Sequence, residues 1–228
     1  MVKSRLPRGI FFVVPKPTTE MKISFSPPNQ LTLLRILLTP VFLAFLFSDN
    51  VLLRQLSLVV FIIALLTDWY DGWVARRWGY VTRWGTFLDP LADKIVTSAA
   101  LIAFVILGLA PAWTVWLIVI RDIAITLLRS YSEYKGKRFD TSKLAKTKTF
   151  LQFVVIYYIL LLYVASGTEH FRTEYGAAID SLLHSTVVYI LMVATAVITV
   201  WTGVSYIIEN RKTIRELYDY SNRITESR

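Results

Sequence analysis

Apolar runs close to the roughly 20 residues that a helix needs to cross a bilayer recur along the whole chain. Six can be drawn, over residues 31–47, 52–73, 87–107, 112–128, 150–165 and 177–208. With 55% of its 228 residues hydrophobic and a mean hydropathy of +0.51, the chain is too apolar for a soluble domain of this size. The expectation is an all-α, polytopic membrane protein of six transmembrane helices, folded as one domain over residues 29–210. Residues 1–28 read as a cytoplasmic or interfacial arm: their apolar run "GIFFVV" is too short for a signal-peptide core, and no small-residue cleavage site follows it. In "SPPNQLT" the prolines are expected to stop any earlier helix, with Asn29 or Thr32 capping the next. The sixth run is long enough to tilt or to extend beyond the lipid. Residues 211–228 form a charged tail with no assigned chemistry.

Charge decides the orientation. If there are six spans, the arm, the second–third loop, the fourth–fifth loop and the tail share one side. Those four stretches hold 19 of the 25 Lys and Arg residues, whereas the opposite side holds only Arg54 and Arg172. Basic residues accumulate on the cytoplasmic side of membrane proteins, so both termini are expected there. The net charge of +9 is explained by this distribution. Because the basic residues are scattered among helix ends rather than gathered on one folded face, nucleic acid is not expected as a partner.

The chain has no cysteine, which excludes disulfides, thiolate metal sites and cysteine nucleophiles. Its two histidines, His170 and His184, have no metal-ligand spacing to an acid or to each other and read as ordinary loop or interface residues.

Against this background the stretch "DWYDGWVARRWGYVTRWGTFLDPLADK" stands out. Asp68 and Asp71 are three apart near the end of the second helix; Asp89 and Asp93 are four apart at the start of the third. Each spacing places a pair on one helix face. Since the loop between them returns the chain to the membrane, four carboxylates can meet in one pocket on the cytoplasmic side. Acids at such positions are costly, about 2.5–3.5 kcal/mol each on insertion scales, and usually mark function. Protonation is one relief and divalent cations are the other. Two cations balance four carboxylates, and all-oxygen ligation favours Mg²⁺ or Mn²⁺. A metal pair roughly 3.5–4 Å apart suits phosphoryl chemistry, because it can stabilise both the attacking and the leaving oxygen. Gly72 and Ala75 keep space beside the acids, and Arg76 can reach a phosphate at the helix end. The bland reading, ordinary interfacial charges, would serve for one or two acids but not for four in paired spacings.

The order Asp68-x2-Asp71-Gly72-x2-Ala75-Arg76-x8-Gly85-x3-Asp89-x3-Asp93 resembles, at every defined position, the signature of the CDP-alcohol phosphatidyltransferase family. Beyond it, "NQLTLLRILLTPVFLAFLF" and "RDIAITLLR…SKLAKTKTFLQ" look like that family's phosphatidylglycerophosphate synthase branch, with Arg121-Asp122 standing where Arg-Glu is common. The resemblance implies transfer of a phosphatidyl group from CDP-diacylglycerol to an alcohol, with release of CMP. Glycerol 3-phosphate is the expected acceptor; inositol phosphate, serine and phosphatidylglycerol are the alternatives. It also implies that Asp68, Asp71, Asp89 and Asp93 are metal ligands, with Asp93 also the general base. Asn29, Thr32, Gly72, Arg76 and Thr82 would line the donor site. The family further implies a homodimer through membrane helices.

An anionic acceptor needs further cations. Arg121 lies inside the fourth span, where an arginine needs an anionic partner. Acceptor phosphate is one such partner; adjacent Asp122 or a catalytic aspartate is the other. Lys143, Lys146 and Lys148 enter the fifth helix, and Lys143 and Lys146 match the family stretch best. All three could equally mark the cytoplasmic loop. Trp69, Trp73, Trp78 and Trp84 read as interfacial tryptophans rather than stacking partners for cytosine. A cation channel or transporter with an acidic ring is the alternative of another class. Against it, the acids cluster at one end of two helices, with none near the middle of a span.

Overall fold

The computed structural model describes residues 27–78, 83–134, 143–211 and 213–215, and among them every regular element is a helix. The order is α1 (Pro27–Leu46), α2 (Val51–Trp78), α3 (Arg83–Ile106), α4 (Ala112–Tyr134), α5 (Lys143–Ser166), α6 (Glu169–Leu183) and α7 (Thr186–Glu209). The arm up to residue 26, residues 135–142 and the tail from residue 216 lie outside the described residues.

Six apolar runs thus give seven helices. The sixth run breaks at His184–Ser185. Ser185 adopts an extended conformation (φ −75°, ψ 158°) as the N-cap of α7, and its hydroxyl donates back to the Leu182 carbonyl at 2.7 Å. The His184 N–H donates to the Asp180 carbonyl and closes α6. A serine hydroxyl competes with helix continuation by bonding nearby backbone, and "HST" is where that competition succeeds. With 24 residues α7 is long enough to cross a bilayer; α6, with 15, is not.

At the other end, α1 begins at Pro27, so Asn29 and Thr32 lie inside the helix and neither caps it. Proline is tolerated there because the first-turn N–H groups have no intrahelical acceptor to lose. Most other helices overrun their apolar segments: α2 runs to Trp78, α4 to Tyr134, and α5 starts at Lys143. The overruns carry polar and charged residues beyond the apolar spans.

The outer surface is apolar and several polar side chains lie inside, beside an apolar core. Phe150 is 70% exposed and Trp201 67%, and Leu37, Leu52, Ile63, Ile106 and Ile190 also point outward. Thr32, Arg35, Thr39, Asp122, Lys148, Gln152, Thr199 and Thr202 are buried. So much exposed apolar surface is what a hydrocarbon solvent requires. Two helical stretches, Thr147–Ser166 and Thr186–Glu209, meet the length and hydropathy of membrane spans, and Thr32–Leu46 and Val51–Thr67 are shorter apolar helices.

The apolar core is built from Phe42, Phe61, Phe104, Ile118, Ile156, Ile159 and Met192, contributed by six different helices. α1 packs along α2 and α3, α3 against α4, α4 against α7, and α5 against α6 and α7. Small residues on α3 (Ala92, Ala100, Ala103), all buried, allow close helix approach.

Candidate active site

The aspartate-bearing segment is helical on both sides of residues 79–82. Asp68 and Asp71 sit on the last turns of α2, and Asp89 and Asp93 on the first turns of α3. On α2 the buried stripe is Ser57, Phe61 and Ala64, and the same register continued along the backbone reaches Asp68 and Asp71. On α3, Val96 and Ala100 continue the register of Asp89 and Asp93. α1 contributes an inner face at helical spacing: Thr32, Arg35 and Thr39, followed by Phe42 and Leu46. Its polar half therefore lies at its N-terminal end. In an α1–α2 hairpin closed by residues 47–50, that is the end beside the C-terminus of α2.

Of the four acids, Asp93 has a described side chain. It is partly exposed, and its Oδ2 lies 3.7 Å from Lys94 Nζ. The side chains of Asn29, Asp68, Asp71, Gly72, Arg76, Asp89, Lys143 and Lys146 lie outside the described residues, and so does Thr82 entirely. Their backbones place Asn29 on α1, Asp68, Asp71, Gly72 and Arg76 on α2, Asp89 on α3, and Lys143 and Lys146 at the start of α5. Thr32, expected at the donor site, is buried on α1's inner face.

Beside Asp93 lies an ion cluster that the aspartate motif does not announce. Asp122 on α4 is 3% exposed. Its carboxylate accepts hydrogen bonds from Lys148 Nζ at 2.5 and 2.6 Å and from Arg121 Nη1 at 3.1 Å. Lys94 Nζ lies 3.8 Å away, so Lys94 stands between Asp93 and Asp122. The second arm of Arg121, Nη2, donates to the Thr202 hydroxyl of α7 at 2.9 Å. Gly203 makes room for that arginine, because a Cβ there would fall 2.9 Å from Arg121 Nε.

This geometry bears on two of the candidate cations. Arg121 does pair with Asp122, the second of the two partners its position allowed, while both its arms hold it against α7. Lys148 is not a solvated loop charge: at 2% exposed it is the principal counter-ion of Asp122. Three cations on three helices, Lys94, Arg121 and Lys148, gather on Asp122, and Lys94 also faces Asp93. Lys94 and Arg121, with side chains 15% and 18% exposed, keep donors within reach of an anion, whereas Lys148 is 2% exposed inside the bundle.

Arg35, 1% exposed on α1, is a second buried cation to which no chemistry had been assigned. The signal was available in both cases: a charge inside an apolar run. The two histidines are exposed on α6 and at the α6–α7 turn, as expected for surface residues.

The donor set offered for metal is carboxylate oxygen alone, on a chain without cysteine, and it suits hard divalent cations. Among the described residues no three acids or histidines converge, which leaves Asp93 as the described member of the quartet.

Residues 25–201 match the sequence model of the CDP-alcohol phosphatidyltransferase family. A Bacillus subtilis protein named CDP-diacylglycerol–glycerol-3-phosphate 3-phosphatidyltransferase is 40% identical over 149 residues, covering 60% of this chain and 77% of its own. A Mycobacterium tuberculosis protein named as a probable phosphatidylglycerophosphate synthase is 36% identical over 182 residues, 78% of each chain. A Salmonella typhimurium protein with the first of these names is 35% identical over 144 residues, covering 60% of this chain and 78% of its own.

Proposed function

The chain belongs to the CDP-alcohol phosphatidyltransferase family, and from that premise we propose that it transfers the phosphatidyl group of CDP-diacylglycerol to glycerol 3-phosphate, giving phosphatidylglycerophosphate and CMP. The names of its relatives support that acceptor. The observation that carries it on this chain is the pair of partly exposed cations, Lys94 and Arg121, gathered on Asp122 with Lys94 3.7 Å from Asp93, since a phosphorylated acceptor needs cations and a neutral alcohol does not.

In this reading Asp68, Asp71, Asp89 and Asp93 hold two divalent cations, Mg²⁺ or Mn²⁺, which when bound neutralise the donor diphosphate. Asp93 takes the proton of the acceptor hydroxyl as its oxygen bonds to the phosphorus that carries diacylglycerol. The bond from that phosphorus to the bridging oxygen breaks, and CMP leaves with the electron pair. Arg76, Gly72, Asn29, Thr32 and Thr82 line the donor headgroup; Arg121, Lys143 and Lys146 attract the acceptor phosphate. The lipid tails stay in the bilayer beside the exposed apolar faces.

α1 to α5 and α7 are the six spans of this arrangement and α6 is an interfacial helix, which keeps both termini and the acids on the cytoplasmic side. The Lys and Arg distribution supports that orientation. Residues 29–210 form the catalytic domain. The enzyme acts as a homodimer through membrane helices, and the exposed face of α7 with Ile190, Val197, Trp201, Val204 and Ile208 offers a surface for it.

The test is CMP release from CDP-diacylglycerol by purified protein in lipid nanodiscs, with Mg²⁺ or Mn²⁺ and a panel of glycerol 3-phosphate, inositol phosphate, serine and phosphatidylglycerol. Release with glycerol 3-phosphate at least tenfold above the others is expected. A different preferred acceptor overturns the acceptor assignment, and no release with any of them overturns the function.

A further inference from the structure

Asp122 lies in neither the aspartate signature nor the set of groups that take part in the reaction above, yet its carboxylate is the point on which three helices converge. Lys148 of α5 reaches it with two short hydrogen bonds, Arg121 of α4 with one, and Lys94 of α3 lies within ion-pair distance. A fourth helix, α7, supplies the Thr202 hydroxyl and the space at Gly203 that complete the seat of Arg121. The three cations are not equivalent. Lys148 spends its charge on both Asp122 oxygens inside the bundle. Lys94 and Arg121 reach the same carboxylate with side chains that are partly exposed, and Lys94 also faces Asp93.

We propose that the Asp122–Lys148 pair is a positioning device: it fixes Lys94, which also faces Asp93, and Arg121 around one carboxylate so that both bind the phosphate of the acceptor, which makes Lys94 a further acceptor-binding residue. The inference deepens the proposed function and rests on its anionic acceptor. Its physical content is directional. A bare salt bridge needs only opposite charges on α4 and α5, in either order. An anchor for two further cations needs the negative charge on α4, because a positive group at position 122 would repel Lys94 and Arg121 from where they stand. Holding two long cationic side chains in place also removes the rotamer entropy that binding would otherwise have to overcome.

Two variants separate these roles. The exchange Asp122→Lys with Lys148→Asp keeps one acid and one base in the buried pair but inverts its sense. Asp122→Asn with Lys148→Met removes both charges, and neutral replacement of a buried pair is commonly tolerated. Each is measured for thermal stability, for the KM of CDP-diacylglycerol, for the KM of glycerol 3-phosphate, and for calorimetric binding of glycerol 3-phosphate without donor. Lys94→Met is measured alongside. In whichever double variant folds, the glycerol 3-phosphate KM and Kd are expected to rise about tenfold or more, with the CDP-diacylglycerol KM within about twofold of wild type. Lys94→Met shows the same split.

Recovery of both stability and acceptor affinity in the exchanged variant overturns the inference, since a plain salt bridge would then suffice. So does an equal rise of both KM values, or an unchanged acceptor KM in the neutral variant. The wild-type acceptor panel keeps the two claims apart: if wild type prefers a neutral alcohol, the proposed function fails before any variant is compared. If wild type prefers glycerol 3-phosphate and the variants show no split, the inference alone fails.

Discussion

Replacing Asp122 with asparagine should destabilise the bundle more than replacing Lys148 with methionine, although the two side chains form one ion pair. The asymmetry follows from who else is present. Without the Asp122 charge, Lys148 loses hydrogen bonds of 2.5 and 2.6 Å and stays 2% exposed with no other described acid in reach. An orphaned buried charge of this kind costs about 3–5 kcal/mol. Without Lys148, Asp122 still accepts from Arg121 at 3.1 Å and has Lys94 at 3.8 Å. The loss is then that of one ammonium bridging both carboxylate oxygens, about 1.5–3 kcal/mol for a charged contact whose acceptor keeps other cations. Removing both charges should return stability to within about 1 kcal/mol of wild type, because the deeply buried orphan is gone and Lys94 and Arg121, which also lose Asp122, are partly exposed. The cycle therefore carries a coupling energy of about 3.5–7 kcal/mol in magnitude. Reversible unfolding in mixed micelles, titrated with denaturing detergent and followed by tryptophan fluorescence, measures all four corners. Equal losses for the two single variants, or a larger loss for Lys148→Met, would refute the assignment of Lys94 and Arg121 as secondary partners of Asp122.

Three further outcomes are expected. Gly203→Ala puts a methyl 2.9 Å from Arg121 Nε, on a guanidinium already held by Asp122 and Thr202, so the arginine must move; the glycerol 3-phosphate KM should rise several-fold, about 1 kcal/mol in binding. An unchanged KM would separate Arg121 from acceptor binding. Gly167→Ala meets only the end of the Arg54 side chain and should cost less than about 0.5 kcal/mol, read as an unchanged unfolding midpoint. Asp93→Asn should lower kcat by about 10²–10⁴, the worth of a general base, while CDP-diacylglycerol binding measured by calorimetry persists; a kcat within tenfold of wild type would assign the base elsewhere.

How much could be read without coordinates varied with the kind of signal. Apolar runs located the described helices, although the sixth run joins two of them, because a run of that length has one satisfactory conformation in lipid. Spacings of three and four placed both aspartate pairs on helices, and α2 and α3 carry them. Two local features were misread. Asn29 or Thr32 looked like the cap of the first helix, but α1 begins at Pro27 and holds both inside it. Ser185 looked like one more residue of a long span but opens α7. What no local pattern could supply was pairing across helices. Asp122 and Lys148 lie 26 residues apart on different helices. Nothing in the spacing of either helix selects the other. Lys148 therefore read like its neighbours Lys143 and Lys146, as a charge at a helix entrance. Thr202 and Gly203 read as ordinary members of an apolar helix until α7 packed against Arg121.

The central claim is that Asp68, Asp71, Asp89 and Asp93 together hold a pair of divalent cations. Manganese binding to the purified protein, read by electron paramagnetic resonance with CDP-diacylglycerol present, tests it most directly. The account predicts two Mn²⁺ per chain with the spin coupling of ions about 4 Å apart. Replacing any one of the four aspartates with asparagine should abolish that coupling. A single uncoupled Mn²⁺, or coupling that survives all four substitutions, would contradict it.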